Sequence, residues 1–267
     1  MSELVRRILF AVVAAPAFLW VTWLGGYYFL ALVWILCLLA QREMLALIKL
    51  QGFRPNAPVS YAAGTVVIAS ALFPALSTPF FVLALLAIIT ADTLNRYERQ
   101  LFSLMGTLFA TFYPAATMLS LIYIRNIDSD PLIGFGFLLM MFFMVWGNDT
   151  FAYFTGKTAG RHLMAPHLSP KKTWEGFAGG FVGAFVGLWL ALWSGVLPGY
   201  SMAELALLPI LISTVGPVGD LTISKIKRAS GAKDTSTILP GHGGILDRFD
   251  SILLVAPVVY IYILLFL

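Results

Sequence analysis

The sequence has 267 residues, 60% of them hydrophobic and only 11% charged, and its net charge is +4. Soluble domains carry about 25% charged residues, so this composition excludes an ordinary soluble protein and points to a polytopic membrane protein. The small cationic excess fits cytoplasmic loops and anionic lipid headgroups rather than nucleic acid, and a lone Cys37 in an apolar run offers neither a disulfide framework nor a Cys-based metal site.

Arg6 and Arg7 precede an apolar run over 8–24, read as an uncleaved first helix because it continues past the weakly signal-like Ala15-Pro16-Ala17. Gly25-Gly26 separates it from a second run that ends at Ala40. Residues 41–56 mix bases with Met44, Leu45, Ile48 and Leu50, the pattern of an amphipathic segment on the membrane surface. The runs 59–73 and 80–91, separated by Pro74 and Pro79, fall short of the roughly 20 residues of a comfortable span. A charged loop over 92–100, a span over 101–124, a small polar loop over 125–130 and a span over 131–146 follow. Three more runs, 177–196, 205–218 and 251–267, complete an all-α, polytopic expectation of about nine transmembrane helices.

Lysine and arginine placement tests that topology, because cytoplasmic loops are enriched in both. With the N-terminus inside and sides alternating, Arg6, Arg7, Arg42, Lys49, Arg54, Arg96, Arg99, Lys157, Arg161, Lys171, Lys172, Lys225, Lys227, Arg228, Lys233 and Arg248 are cytoplasmic. Only Arg125 of the 17 basic residues lies outside. The two large polar loops, 148–176 and 220–250, thus share the cytoplasmic side of the C-terminal helices. The chain divides on this reading into N-terminal membrane helices over 1–130, a scaffold with possible lipid access, and a catalytic membrane region over 131–267.

Loop 148–176 holds Gly156-Lys157-Thr158, but a phosphate-binding Walker loop needs a glycine where Phe151 stands. Its segment 169–176 sets Lys171 and Lys172 beside Trp174 and Glu175 at a helix entrance, either a basic loop with an interfacial anchor or part of a site. Gly176, Gly179, Gly180, Gly183 and Gly187 have the small-residue spacing that lets helix backbones approach closely.

The segment 220–250 is the one stretch that an apolar membrane chain does not explain. Asp220, Lys225, Lys227, Arg228, Lys233, Asp234, His242, Asp247, Arg248 and Asp250 crowd into it, and ionisable groups near a bilayer read as functional. If the preceding run continues as a helix, Asp220, Ser224 and Lys227 or Arg228 share a face, and Gly231 supplies the left-handed cap that ends it. Gly243 and Gly244 precede the next helix, where bare N–H groups can approach an anion, and Asp247 and Asp250 share that helix's first turn. Asp220 and Asp247 with cations between them would suit Mg²⁺ on a polyphosphate. Alternatively, the aspartates complement the helix dipole and the bases form a positive cytoplasmic flank.

The run Ser224-x-Ile226-Lys227-Arg228, Lys233-Asp234-x-Ser236 and Leu239-Pro240-x-His242-Gly243-Gly244-Ile245-x-Asp247-Arg248-Phe249-Asp250 resembles the signature of CTP:phosphatidate cytidylyltransferases, the CDP-diacylglycerol synthases. Asp149-x2-Ala152-Tyr153 and Ser169-Pro170-x-Lys172-Thr173-Trp174-x-Gly176 resemble two further elements of that family, so the likeness covers roughly the C-terminal half. It implies attack of the phosphatidate phosphate on the α-phosphorus of CTP at a cell membrane, inner or plasma, for phospholipid synthesis. It implies Mg²⁺ on Asp220 and Asp247, with room for a second cation such as K⁺ or another Mg²⁺. Lys227, Arg228, Lys233 and Arg248 are then candidates for the triphosphate and the lipid headgroup. Asp250 and Asp234 would position cations or an arginine, Lys171 and Lys172 would reach the nucleotide, and His242, among the substrate- and phosphate-binding candidates, would hydrogen-bond or fix a turn rather than act as an essential base. Assembly as a homodimer is left open.

An enzyme acting on an isoprenoid-ether phosphatidate analogue, or a CTP-dependent polyprenol kinase, is the nearest alternative. Enzymes that consume CDP-diacylglycerol carry a motif beginning Asp-Gly, and the chain has no such pair. A transporter would spread its charges across helices near the midplane, whereas here they gather in loops and at helix ends.

Overall fold

The computed structural model describes residues 3–94, 101–239, 241 and 243–267, the side chains of 3–11 excepted. Among them, seven helices are long and apolar enough to cross a membrane, and two shorter apolar helices accompany them. The chain is an all-α, multi-pass membrane protein. Arg96, Arg99, Pro240 and His242, all invoked above, lie outside the described residues.

By packing, the chain forms two units, Met1–Ile122 with Ile226–Phe249, and Tyr123–Lys225 with Asp250–Leu267. Residues 226–249 therefore group with the N-terminal helices, whereas the sequence-based division at 130/131 groups them with the C-terminal ones.

In the first unit, α1 (Glu3–Leu24) and α2 (Gly26–Leu50) are separated by Gly25, whose φ of 65° suits a residue without Cβ. Unlike the expected surface segment over 41–56, α2 runs on through Leu50 and buries Gln41, Glu43, Met44, Leu45, Leu47 and Ile48. Polar partners make that possible. Gln41 Nε2 donates to the Ser60 carbonyl at 2.9 Å on α3 (Ala57–Ala69), and Thr111 Oγ1 on α5 (Leu101–Arg125) donates to Ser60 Oγ at 2.9 Å. Such interhelical bonds hold helices together where lipid leaves little hydrophobic drive between them. Between α3 and α5, α4 (Ser77–Thr93) and the turn before it give a 20-residue apolar stretch, Pro74–Thr93. It is longer than the expected run because Pro79 falls in the first turn, where its missing N–H has no helical partner to lose.

In the second unit, α6 (Pro131–Ala159) continues twelve residues past the expected loop start at Asn148, so the polar loop begins only at Gly160. The extension is stabilised by close packing against α7 (Trp174–Trp193). A Cβ on Gly183 would meet the Gly147 carbonyl, one on Gly187 the Phe143 carbonyl, and one on Gly176 the Ala152 carbonyl. The small-residue spacing is thus spent on helix packing. An antiparallel hairpin of β1 (Leu163–Ala165) and β2 (Ser169–Thr173), absent from the sequence reading, joins α6 to α7, and Thr173 Oγ1 caps α7 by accepting from Gly176 N at 3.1 Å.

A short α8 (Met202–Leu205) precedes α9 (Leu207–Ala229), which continues through Asp220. Gly231, with φ 67°, ends α9: the Gly231 N–H donates to the Arg228 carbonyl and the Ala232 N–H to the Lys227 carbonyl, a Schellman cap. The last helix, α10 (Leu246–Phe266), follows.

Candidate active site

Each unit carries its own polar cluster. In the first unit the cluster is built around the loop 230–245 and the start of α10. Lys227 Nζ lies 2.6 Å from Asp247 Oδ1, with 13% and 6% of the side chains exposed. Asp247 Oδ2 accepts from Thr235 N at 2.8 Å, Thr235 Oγ1 at 2.9 Å and Gly244 N at 2.9 Å. The carboxylate therefore has a charged donor on one oxygen and three neutral donors on the other.

Behind that loop stands Glu43 of α2, 1% exposed. Its Oε1 accepts from Ile245 N at 2.8 Å and Ser236 Oγ at 2.6 Å, and its Oε2 from Leu246 N and Thr235 Oγ1, each at 2.8 Å. The N–H groups at the start of α10 thus face an anion, as the sequence suggests, but the anions are the protein's own Glu43 and Asp247. Gly244 is buried between them: a Cβ there would collide with the Glu43 carboxylate and Thr235 Oγ1. Gly243, at φ 80°, donates no bond to these groups, but its carbonyl accepts from Leu239 N at 2.9 Å and closes the turn.

The second unit holds a cavity of about 610 Å³. Asp149 and Asn148 of α6, Lys171 and Lys172 of β2 and Asp220 of α9 line its polar side, and Tyr153, Phe177 and Pro217 line the rest. Lys172 Nζ lies 2.6 Å from Asp220 Oδ2, and Ser224 Oγ donates to Asp220 Oδ1 at 3.2 Å. Asp149 and Asp220 both act electrostatically on Asp250, so three carboxylates share this neighbourhood with one paired lysine. Asn148 Nδ2 donates to Asp149 Oδ1 at 3.4 Å, while the buried Asn148 Oδ1 has no hydrogen-bond partner. At the hairpin, Glu175 accepts from Arg161 N at 3.1 Å and His162 N at 3.2 Å, and His162 Nδ1 lies 2.6 Å from its Oε1.

Of the residues singled out in the sequence, the first unit joins Lys227, Asp247 and Gly244, and the second joins Lys171, Lys172, Asp220, Ser224 and Asp250. Arg228, Lys233, Asp234 and Arg248 are exposed, and Arg228 Nη1 donates to the Ala232 carbonyl at 3.2 Å. The sequence reading passed over Glu43, Thr235 and Asn148. A carboxylate at the end of an apolar run was the available signal for Glu43, and its place beside a polar loop far along the chain was not.

Among the described residues, no group of three or more His, Cys, Asp or Glu side chains forms an all-protein metal cage. The donor set fits a hard cation of another kind. Mg²⁺ typically takes one or two carboxylates and completes its shell with phosphate and water. Asp220 and Asp149 supply hard carboxylate oxygens to the lining of one cavity, whereas the buried Asn148 Oδ1 lies against Gly180 of α7.

Comparison with known proteins gives a consistent result. A model of the "Cytidylyltransferase family" matches residues 5–266. The chain is 33% identical to the phosphatidate cytidylyltransferase of Bacillus subtilis (strain 168) over 276 aligned positions, covering 100% of both chains. It is 34% identical to that of Brucella abortus biovar 1 (strain 9-941), covering 98% of this chain and 94% of the relative. Over a shorter stretch, 62% of this chain and 60% of the relative, it is 38% identical to the phosphatidate cytidylyltransferase of Aquifex aeolicus (strain VF5).

Proposed function

The chain belongs to the cytidylyltransferase family of enzymes, and from that membership we propose that it transfers CMP from CTP to phosphatidate, releases pyrophosphate and forms CDP-diacylglycerol, with Mg²⁺ required. The observation that carries the reading is full-length likeness to proteins named phosphatidate cytidylyltransferase. A phosphate oxygen of the lipid attacks the α-phosphorus of CTP, the α–β phosphoanhydride breaks, and the electron pair leaves with pyrophosphate. Phosphatidate is already substantially ionised near neutral pH, so the chain needs no strong base. Positioning and charge neutralisation suffice for a transfer of this kind.

Lysines suit that work. Lys172 and Lys227 each lie 2.6 Å from an aspartate within their own unit. Each can pass from carboxylate to phosphate without moving far, and Lys171 lines the same cavity as Lys172. Asp220 and Asp247 are the carboxylates proposed for Mg²⁺, which when bound would neutralise phosphate oxygens and polarise the phosphorus under attack. Asp149 lines the same cavity as Asp220 and would be a further carboxylate for the ion. Asp247 has one oxygen filled by three donors, and would accept the ion through the oxygen that Lys227 now holds. The lysine and arginine bias supports a cell-membrane protein with a cytoplasmic N-terminus, facing the compartment that holds CTP.

The deciding experiment uses purified protein in detergent with phosphatidate, Mg²⁺ and CTP labelled at the α- or the γ-phosphate. Label from the α-phosphate should enter the lipid and γ-label should leave as pyrophosphate, both ceasing with EDTA and returning with added Mg²⁺. Entry of γ-label into the lipid would mean a kinase, and entry of neither label would overturn transfer to phosphatidate.

A further inference from the structure

Glu43 is a carboxylate on a membrane helix, 1% exposed, and all four of its hydrogen-bond donors are uncharged. Burying such a charge is costly unless every lone pair is satisfied, and an apolar side chain would hold α2 against the loop at lower cost. Four directional bonds add something an apolar contact cannot supply, a fixed register. Two of them go to backbone N–H groups at the entry to α10, that of Ile245 just before the helix and that of Leu246 at its first position, which have no partner within the helix. The other two go to Thr235 and Ser236, at the far end of the signature loop. Glu43 thus ties both ends of a ten-residue stretch to α2.

The tie reaches Asp247 directly. The Thr235 hydroxyl lies 2.8 Å from Glu43 Oε2 and 2.9 Å from Asp247 Oδ2, so one proton is shared between two carboxylates. The Thr235 and Gly244 N–H groups, held on either side, both point at Asp247. A side chain on Gly244 would destroy this arrangement from within.

We propose that Glu43 is a positioning residue of the cytidylyl transfer: from α2 it fixes Thr235 and Ser236 on one side and Ile245 and Leu246 on the other, and thereby the orientation of Asp247 and its partner Lys227. This inference rests on the proposed function for its role in turnover, though not for its hold on the loop. A consequence is that the start of α10 is already occupied by the protein's own carboxylates, which leaves phosphate binding in this unit to the lysine side of the loop.

Glu43→Gln is a sharp test because each carboxylate oxygen accepts a fixed backbone N–H. Whichever way the amide turns, its NH₂ faces one of them. The full chain would be purified in detergent and read out in two ways, by amide hydrogen exchange and by transfer kinetics. Exchange in peptides covering 235–246 should quicken while peptides from α6 and α7 stay unchanged. KM for CTP should rise roughly 10-fold or more, in the range set by removing a residue that orients a ligand-bearing group, with KM for phosphatidate unchanged.

A merely structural role would lower the active fraction and the maximal rate, with both KM values intact. That result, or unchanged exchange in 235–246, overturns the proposal. Should Glu43→Gln fail to fold, Thr235→Val removes only the shared hydroxyl and should raise KM for CTP about threefold with faster local exchange. Wild-type KM and exchange in Thr235→Val would then overturn the proposal. If the wild type transfers no CMP at all, the proposed function fails, and the exchange measurement still decides whether Glu43 holds the loop.

Discussion

Lys227 and Asp247 form an ion pair at 2.6 Å, with both side chains almost wholly removed from solvent. Three neutral donors share the same carboxylate, so the pair is one corner of a network rather than an isolated bridge. Such a pair is not evidence of high stability, because desolvation offsets much of its attraction, but breaking it from one side is costly.

The two halves of the pair should therefore respond differently to substitution. Asp247→Asn sets an amide NH₂ or a weakened acceptor against Lys227 and strands a buried cation, at a cost of about 3–5 kcal/mol. Lys227→Met keeps the unbranched stem without the charge and leaves Asp247 with its three neutral donors. Both variants should lose transfer activity. Melting in detergent, followed by size-exclusion chromatography after heating, should fall clearly further for Asp247→Asn. Equal melting temperatures would refute the asymmetry.

Lys172 and Asp220, also 2.6 Å apart, are 25% and 32% exposed, so solvent screens this pair. Pairs of this kind contribute about 0–1 kcal/mol. Asp220→Asn should abolish transfer while shifting the melting temperature much less than Asp247→Asn does. A large loss of stability with residual turnover would move Asp220 from the chemistry to the scaffold.

How far the sequence reveals this arrangement depends on distance along the chain. The end of α9 at Gly231 was legible because a Schellman cap is written in consecutive residues. The crowding of charge in 220–250 was legible for the same reason. Glu43 was not, since its partners lie about 190 to 200 residues away and nothing in residues 41–56 marks them. The same limit hid the length of α6. Asn148-Asp149-Thr150 reads as a loop until Gly180 of α7 is set against Asn148, and Gly183 against Gly147 and Phe151 on either side of it.

Two glycines of the signature segment should behave in opposite ways. Gly231 is left-handed but a Cβ there meets open space, so Gly231→Asn, a residue that tolerates this conformation, should keep most activity and stability. Gly244→Ala places its Cβ on the Glu43 carboxylate and Thr235 Oγ1. Overpacking of this kind costs about 1–3 kcal/mol, and transfer should drop more than the melting temperature suggests because the loop around Asp247 is displaced. Comparable activity in the two variants would show that the loop adapts.

Glu175 gives the last test, because it joins the hairpin to the start of α7 without facing the cavity wall itself. Its carboxylate accepts from Arg161 N and His162 N and lies 2.6 Å from His162 Nδ1, while Lys171 and Lys172 sit farther along the same hairpin. In Glu175→Ala the strands still pair and Trp174 N still donates to the His162 carbonyl at 2.9 Å, so the hairpin persists with one tether fewer. The expected outcome is a melting temperature close to wild type and a KM for CTP raised about threefold, the scale of one modest hydrogen-bonding contribution. His162→Ala removes only one of the three contacts and should have a smaller effect. If Glu175→Ala matched wild type in KM while Lys172→Ala did not, the lysines would be held by the cavity and not by the hairpin's anchor.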